Sequence, residues 1–305
     1  MEKRPLGRSD LAITPVGVGT APIGSSPGTW WVNWGPQDEG ESVRAIHAAL
    51  DAGVNWIDTA PFYGWGRAEE IVGRAIRGRE DVLVFTKCGT LRRADGDDYM
   101  DLRPMAIRAD VEASLRRLGV ERIDLLQIHR PDLLAHPAEV AEAFDRLRRA
   151  GKIRAAGVSN YTAAQVDALC AHLPFDLATV QNEFSPVAIE PLADATLDGA
   201  MRRGMAVLAW SPLGQGRLAA RAGESSDGTR VDAVIAALDA VAGRAGTPRT
   251  AVAYAWIMAH PARPIPLIGS QNPARIREAH GAYSVHLTRE EWYRILVAAR
   301  GARMP

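Results

Sequence analysis

The chain has 305 residues, of which 47% are hydrophobic and 24% charged, the composition of a soluble globular protein with a sizeable core. The 36 Lys and Arg residues balance the 36 Asp and Glu residues, and no long basic run occurs, which argues against a nucleic-acid partner. The opening residues MEKRPLGRSD are polar, and no run approaches the ~20 apolar residues of a membrane span, so no membrane partner is expected.

The cysteines and histidines carry little signal for disulfides or metals. Cys88 and Cys170 lie far apart and form no C-x-x-C pair, so we expect free thiols in a cytoplasmic protein. The seven histidines show no metal-ligand spacing such as H-E-x-x-H. The sequence therefore predicts no metal site.

The N-terminal part of the chain predicts short strands followed by a long loop. Residues 5–13 predict a small hairpin. A loop rich in Gly, Ser and Pro follows and carries Trp30, Trp31 and Trp34. Loops of this length in a compact domain are usually functional or disordered, and three tryptophans argue against disorder. They either form a substrate lid or cap one end of the core.

Apolar runs then alternate with helical patterns along the rest of the chain. The strands predicted after the hairpin are 16–19, 54–58, 82–85, 123–128, 153–158, 178–180, 205–209 and 265–268. The predicted helices are 37–52, 68–76, 105–118, 138–150, one carrying Val166 and Leu169 behind a Thr162 cap, 192–203, 231–243, 250–259, one from Pro273, and 288–300.

This alternation predicts βαβ units and a parallel sheet. Eight units in about three hundred residues fit an α/β fold of the (β/α)₈ TIM-barrel type, with an N-terminal β-hairpin and an extra C-terminal helix. A doubly wound open sheet is the alternative, but GVGTAPIG after the first strand does not satisfy G-x-G-x-x-G. We therefore expect a single barrel domain over residues 1–305.

Polar residues stand where the predicted strands end. In a barrel these ends meet at one face, so Asp58, Lys87 and His129 should converge with Tyr63. Lys87 would supply the cation that lowers the pKa of the Tyr63 phenol, and Asp58 would hold the ammonium. His129 could donate a hydrogen bond to a substrate oxygen. Together these four residues could protonate an alkoxide as it forms at a carbonyl.

Each of the four residues also has an ordinary structural explanation. Asp58 could cap a turn, Lys87 could be a solvated charge, His129 could be a satisfied core histidine, and Tyr63 could cover the barrel rim. Because all four fall at the same end of successive units, a functional site is the favoured interpretation.

The chain resembles the aldo-keto reductase superfamily from end to end. The resemblance rests on VNWIDTAPFYGWG, VFTKCG, DLLQIHRPD, GKIRAAGVSN, VQNEFSP, VLAWSPLGQGRL and PLIGSQNPARIREA, in this order. It implies a (β/α)₈ barrel that reduces aldehydes and ketones with a nicotinamide cofactor, usually NADPH. The family's catalytic residues would fall on Tyr63, Asp58, Lys87 and His129.

The same resemblance implies a set of cofactor-binding residues. Ser159, Asn160 and Gln181 would hold the nicotinamide carboxamide, Trp210 would stack on its ring, and Arg275 would approach the 2′-phosphate. The full set is Thr20, Asp58, Ser159, Asn160, Gln181, Trp210, Ser211, Pro212, Leu213, Gly214, Gly269, Gln271, Arg275 and Glu278. Arg275 could instead be only a solvated helix charge.

Two departures from the commoner family pattern bear on the cofactor and the substrate. Gly269 stands where many relatives have Lys, and Ala279 where they have Asn, so NADH becomes possible beside NADPH. The chain ends soon after its last predicted helix, which puts weight on the tryptophan loop. We expect Trp30, Trp31, Phe62, Trp65 and His129 around the substrate, in a mouth suited to a hydrophobic carbonyl compound.

Two other functions fit parts of the pattern. One is a lyase that forms a Schiff base on Lys87. The other is an NADPH-binding sensor or accessory subunit with negligible turnover. Cys88, beside Lys87, could also make activity sensitive to oxidation.

Overall fold

The structure is a computed structural model that describes residues 2–24, 37–93, 95–220, 229–270 and 272–304. Its strands are β1 (Arg4–Pro5), β2 (Ala12–Ile13), β3 (Gly17–Gly19), β4 (Trp56–Asp58), β5 (Leu83–Cys88), β6 (Thr90–Arg92), β7 (Asp98–Met100), β8 (Ile123–Ile128), β9 (Ile153–Ser159), β10 (Thr179–Glu183), β11 (Ala206–Trp210) and β12 (Ile265–Ile268).

The α-helices are α1 (Glu39–Asp51), α2 (Arg67–Ala75), α3 (Pro104–Leu118), α4 (Pro137–Arg149), α5 (Ala163–Cys170), α6 (Thr196–Arg203), α7 (Thr229–Ala245), α8 (Arg249–Met258), α9 (Pro273–Ala279) and α10 (Arg289–Arg300). Short 3₁₀ helices cover Glu190–Leu192, Arg217–Ala219 and His280–Ser284.

Eight parallel strands form a closed barrel, which confirms the predicted (β/α)₈ fold. Around the barrel the order is β10, β11, β12, β3, β4, β5, β8 and β9. The register pairs Asp58 with Phe85, and Lys87 with Gln127, on adjacent strands. Because all eight strands run the same way, their C-terminal ends open on a single face.

The helices pack on the barrel through apolar stripes. In α1, Ala45, Ile46 and Ala49 are buried, and in α4, Val140 and Phe144 are buried. Helices α1 and α5 begin at side-chain caps. The predicted Thr162 cap of α5 is present, and the structure shows that it forms a complete capping box with Gln165. Helices α7 and α10 pack against each other outside the barrel.

The N-terminal hairpin of β1 and β2 is present as predicted. It covers the end of the barrel where the strands begin, opposite their C-terminal ends. Leu6, Leu11 and Ile13 are buried there. Arg154, in β9 near its start, bridges Asp10 of the hairpin and Asp124 of β8. This end of the barrel is therefore closed, and the opposite face is the one that can accept a ligand.

The structure corrects the sequence analysis in three places. The predicted helix 192–203 is broken before α6, because Ala195 adopts a left-handed conformation (φ 65°) and Asp194 caps the Thr196 N–H. The polar loop after β5 contains the β6–β7 hairpin. Strand β5 also continues through Lys87, whose backbone still pairs with β8.

Among the described residues, none of the helices is long and apolar enough to cross a membrane. The same residues contain no group of three or more His, Cys, Asp or Glu side chains arranged to hold a metal ion.

The packing of Gly17 against Trp56 gives a stability prediction. A Cβ at Gly17 would lie 2.2 Å from the fully buried indole of Trp56, so Gly17→Ala should lower the free energy of unfolding by ~1–3 kcal/mol. The control is Gly243→Ala on α7, where a Cβ meets nothing within 4 Å and should stabilise the helix by ~0.5–1 kcal/mol. Urea denaturation measures both. Equal effects of the two substitutions would contradict this account of the core.

Candidate active site

The strand ends bring four side chains together at the open face. Asp58 ends β4, Lys87 lies near the end of β5, and His129 directly follows β8. Tyr63 reaches the same point from the loop after β4. The rings of Tyr63 and His129 are 5.7 Å apart, and the Lys87 ammonium is 3.1 Å from the Tyr63 hydroxyl. The predicted convergence is therefore present.

Tight turns in the loop after β4 position Tyr63. The Tyr63 N–H donates to the carbonyl of Ala60, and the Tyr63 carbonyl accepts from Ala68 at the start of α2. Gly64 has φ 59°, and a Cβ there would lie 2.1 Å from the carbonyl oxygen of Gly24. The loop is thus pressed against the segment after β3, and this fixes the phenol over the strand ends.

A buried ion pair joins Lys87 to Asp58. Both side chains are 1% exposed, and the Lys87 ammonium donates to an Asp58 carboxylate oxygen and to the carbonyl of Thr59. The other carboxylate oxygen accepts from Gln127 (3.0 Å) and Gln181 (2.9 Å). Removing one partner of such a pair would leave an uncompensated buried charge, so the site depends on both.

Burial dominates the protonation behaviour of the reactive groups. Burial raises the pKa of Tyr63, and although the Lys87 charge opposes this shift, the net direction is upward. Lys87 thus acts on the Tyr63 pKa in the expected direction, but burial outweighs it. Burial also opposes the charged form of Lys87, but the Asp58 carboxylate raises the Lys87 pKa overall. At neutral pH the phenol therefore keeps its proton and the lysine its charge.

His129 is held neutral. Burial, followed by the charges of Lys87 and Arg130, lowers its pKa well below the usual 6.5. Its side chain is 6% exposed, and its ring packs in T-shaped contacts with the rings of Phe62 and Tyr63. A neutral imidazole keeps one N–H and can donate a single hydrogen bond to a carbonyl oxygen.

Cys88 does not have the properties of a reactive thiol. It is 1% exposed, and burial raises its pKa well above the usual value. Thiol reactivity needs an accessible thiolate, so the oxidation sensitivity expected from the sequence is unsupported.

Asn160 organises the wall next to His129. It has φ 58°, a conformation that Asn tolerates better than most residues. Its amide donates to the His129 carbonyl (2.9 Å) and the Ser159 hydroxyl, and its side-chain oxygen accepts from the Trp210 indole (3.1 Å). The ends of β8, β9 and β11 are locked together through this residue.

A cavity of about 580 Å³ runs across the barrel face from Tyr63 to α9. This size is typical of a small-molecule or cofactor site. The predicted site residues that line it are Thr20, Asp58, Tyr63, His129, Ser159, Asn160, Gln181, Trp210, Ser211, Pro212, Leu213, Gly269, Arg275 and Glu278. Lys87 lies behind Tyr63 and lines no part of it.

The remaining predicted residues have other positions. Gly214 lies in the turn after β11, beside Val187. Phe62 and Trp65 stack edge to face at 5.0 Å, and Phe62 touches the His129 ring, but neither lines the cavity. The predicted residues Trp30, Trp31 and Gln271 lie outside the described part of the chain.

Sequence reasoning missed the polar residues beneath the ion pair. Gln127 donates to Asp58 and accepts from Thr179 (3.2 Å), and all three are buried. Gly157, between them on β9, has no room for a Cβ, which would lie 2.0 Å from the Thr179 hydroxyl. The available signal was an amide within the apolar run IDLLQI. The other missed lining residues include Arg130, Arg249, Thr250 and Tyr254.

This arrangement can transfer a proton and stabilise charge at an oxygen atom. The Tyr63 hydroxyl is protonated, the ammonium beside it stabilises the phenolate that proton loss would leave, and His129 offers a neutral donor. These are the parts that the interconversion of a carbonyl and an alcohol requires, if hydride comes from elsewhere.

Comparison with known proteins places the chain in a family. The family model described as the aldo/keto reductase family matches residues 16–298. A 6-dehydroglucose reductase of Novosphingobium aromaticivorans is 43% identical, and the alignment covers 99% of this chain and 97% of the relative. An NADH-specific methylglyoxal reductase of Escherichia coli is 34% identical, and the alignment covers 72% of this chain and 69% of the relative.

A solved structure has the same architecture. The glycerol dehydrogenase of Gluconobacter oxydans superposes with a TM-score of 0.85 at 32% sequence identity, and the match covers 99% of this chain and 97% of that one.

The neutral state of His129 predicts a pH dependence. Because its folded-state pKa is below the unfolded value of ~6.5, the unfolded state binds more protons as pH falls through this window, and stability falls too. His129→Gln removes this contribution, so the variant should gain up to ~1.4 kcal/mol relative to wild type per pH unit below ~6.5. Urea denaturation of both proteins at several pH values measures the difference. A difference that stays constant across that range would contradict a buried, neutral His129.

Proposed function

Because this chain belongs to the aldo-keto reductase family, whose members use nicotinamide cofactors, we propose that it reduces an aldehyde or ketone to an alcohol with NADP(H). The observation that carries the proposal is the protonated Tyr63 hydroxyl, 3.1 Å from a charged Lys87 at the edge of a long cavity. The substrate oxygen would bind at this hydroxyl.

The catalytic roles follow from the contacts. Tyr63 donates the proton to the substrate oxygen, and the Lys87 ammonium stabilises the phenolate that results. Asp58 keeps Lys87 charged and in place, and His129 orients the carbonyl with its neutral N–H. A nicotinamide cofactor, when bound along the cavity, would supply the hydride for the carbonyl carbon. Since the protein holds the donor and acceptor sites side by side, orientation supplies part of the rate.

The cavity residues fit a dinucleotide. The cavity extends from Tyr63, past Trp210 and loop 211–220, to Arg275 on α9. Ser159, Asn160 and Gln181 would hold the carboxamide end, and Trp210 would stack on the ring. The Thr250 hydroxyl beside the far end is buried without a hydrogen-bond partner in the described structure, as expected where a polar ligand completes the site.

Arg275 supports NADPH as the preferred cofactor. It lines the end of the cavity with Glu278, and a guanidinium pairs well with a phosphate group. Gly269 supplies no second cation there, so NADH remains a usable alternative. The NADH-specific relative is consistent with both cofactors being accessible to this family.

The competing lyase function is disfavoured by the state of Lys87. A Schiff-base lysine must present an unprotonated amine to its substrate. Lys87 is 1% exposed, is absent from the cavity lining, and has a pKa raised by its contact with Asp58. The sensor alternative keeps the same cavity and differs only in turnover.

Replacing Tyr63 tests its role as the proton donor. Tyr63→Phe should remove most carbonyl-dependent NADPH oxidation, by about 10²–10⁴-fold, because general acid catalysis is lost. The variant should still bind NADPH, as measured by the quenching of tryptophan fluorescence. The same assays with NADH in place of NADPH test the contribution of Arg275 to cofactor preference. Wild type that binds NADPH but reduces no aldehyde or ketone would support the sensor. Reductive trapping of a substrate on Lys87 would support the lyase.

A second feature of the cofactor region is a clamp on loop 211–220. The Arg249 guanidinium donates to the carbonyl of Ala220 (2.6 Å) and binds Asp239 of α7 through both carboxylate oxygens (2.6 and 2.8 Å). Arg249 also lines the cavity. The clamp therefore ties the loop that would cover the cofactor to α7 and α8.

Loosening this clamp should weaken cofactor binding. Arg249→Lys loses the paired hydrogen bonds and should raise the NADPH dissociation constant about tenfold, roughly the effect of one charge-assisted hydrogen bond. The matched control is Arg244→Lys, because Arg244 binds Glu291 through both oxygens and the His286 carbonyl, away from the cavity. Fluorescence titration and melting temperature are measured for both. Equal NADPH affinities in the two variants would contradict the clamp.

A further inference from the structure

Arg130 occupies the substrate end of the cavity. It directly follows His129 at the end of β8, is half-buried, and lines the same cavity as Tyr63 and His129. Its charge partly opposes the rise that burial causes in the Tyr63 pKa and adds to the lowering of the His129 pKa, so the guanidinium lies close to the reacting position. No role for it follows from the catalytic scheme above.

The neighbouring carboxylates are already engaged. Asp132 accepts from the backbone N–H groups of Leu102 and Leu134, one on each oxygen. Asp58 is bound by Lys87 and two glutamines. Within the described ranges, Arg130 makes no hydrogen bond or ion pair with a protein group. A half-buried guanidinium beside a ligand cavity is thus left with its donors available.

The barrel topology places Arg130 far from Arg275, the residue proposed to bind the cofactor phosphate. Arg275 follows β12, and β12 lies on the opposite side of the closed barrel from β8. The two guanidinium groups therefore stand at opposite ends of the cavity, with Tyr63 and His129 near Arg130. A cofactor whose adenosine end lies at Arg275 would leave Arg130 beside the substrate.

We propose that Arg130 is a substrate-binding residue that selects carbonyl compounds carrying hydroxyl or carboxylate oxygens near the reacting carbon. This inference rests on the proposed reductase function and refines its substrate class. A guanidinium presents donors in a fixed fork, which matches a carboxylate or two adjacent hydroxyl groups. This substrate class differs from the hydrophobic one expected from the sequence. That expectation relied in part on Phe62 and Trp65, and neither residue lines the cavity.

The name of a relative fits the hydroxylated branch of this class. The 43% identical 6-dehydroglucose reductase is named for a sugar aldehyde. A carboxylate would be bound more strongly by the same group, because both partners are charged. The two branches share one recognition chemistry and can be separated by experiment.

The test compares matched substrate pairs in wild type and three variants. The pairs are 4-carboxybenzaldehyde with benzaldehyde, and glyceraldehyde with propanal. Arg130→Met removes all donors, and Arg130→Lys keeps the charge but not the fork. The control is Arg149→Met, which removes an equal charge from the exposed surface of α4. kcat/KM is measured for every combination, with the NADPH dissociation constant and melting temperature.

If Arg130 binds a carboxylate, Arg130→Met should lower kcat/KM for 4-carboxybenzaldehyde by about 10–100-fold. If it binds hydroxyl groups, the same substitution should lower kcat/KM for glyceraldehyde by about 2–10-fold. The plain partner of each pair and NADPH binding should change little. Arg130→Lys should retain part of a carboxylate preference and lose a hydroxyl preference. A response confined to one pair identifies the branch and still supports the role of Arg130.

Other outcomes would overturn the proposal. If Arg130→Met lowers kcat/KM equally for all four substrates, the residue acts only through its electrostatic effect on Tyr63 and His129. If wild type shows no preference within either pair, Arg130 selects nothing. If no carbonyl is reduced at all, the proposed function fails first, and calorimetric titration with benzoate and glycerol still tests the site. Binding that is absent, or the same in wild type and both Arg130 variants, then refutes it.

Discussion

The buried pair of Lys87 and Asp58 is the constraint around which the open face of the barrel is organised. A fully buried ammonium is tolerated only because a carboxylate and the Thr59 carbonyl satisfy it. The carboxylate in turn requires donors for its second oxygen, and Gln127 and Gln181 supply them. Gln127 needs Thr179, and their contact needs a glycine at position 157. Side chains from four strands are thus coupled to a single charge pair.

This coupling explains why the proposed reactive groups differ so much in charge within a small space. Burial alone would favour neutral forms of Lys87, Tyr63 and His129. Asp58 reverses that preference only for Lys87, which it touches directly. The outcome is a charged lysine beside a protonated phenol, with a neutral imidazole against the phenol ring. An acid that keeps its proton at neutral pH, next to a cation that stabilises its conjugate base, is what proton donation to an alkoxide needs.

The cavity adds an asymmetry along its length. Arg275 and Arg130 stand on opposite sides of the barrel, and Arg249 lies in the wall beside loop 211–220. Arg249 is committed to Asp239 and to backbone carbonyls, so it stabilises the wall of the cavity. The other two guanidinium groups make no ion pair within the described residues. Charge is therefore available at the two ends, where we propose cofactor phosphate and substrate oxygen to bind.

Much of this could be predicted from the sequence, because strand and helix periods are local. The apolar runs located all eight barrel strands, and the polar residues after them pointed to Asp58, Lys87 and His129 as neighbours of Tyr63. Local signals failed where contacts between distant segments decide the structure. The β6–β7 hairpin lay hidden in a polar stretch, and the break before α6 depends on Ala195 adopting a positive φ.

The sequence by itself determined the closed barrel and the order in which the reactive residues reach its open face, since repeated βαβ units leave few alternatives. Only the tertiary structure decided their protonation states, because desolvation and charge proximity depend on which strands become neighbours. It also decided that Gln127 belongs to the site and that Phe62 and Trp65 do not line the cavity. The availability of Arg130 was likewise decided by packing, since Asp132, two residues away in sequence, accepts from the backbone N–H of Leu102 in a distant segment and from that of Leu134 in its own loop.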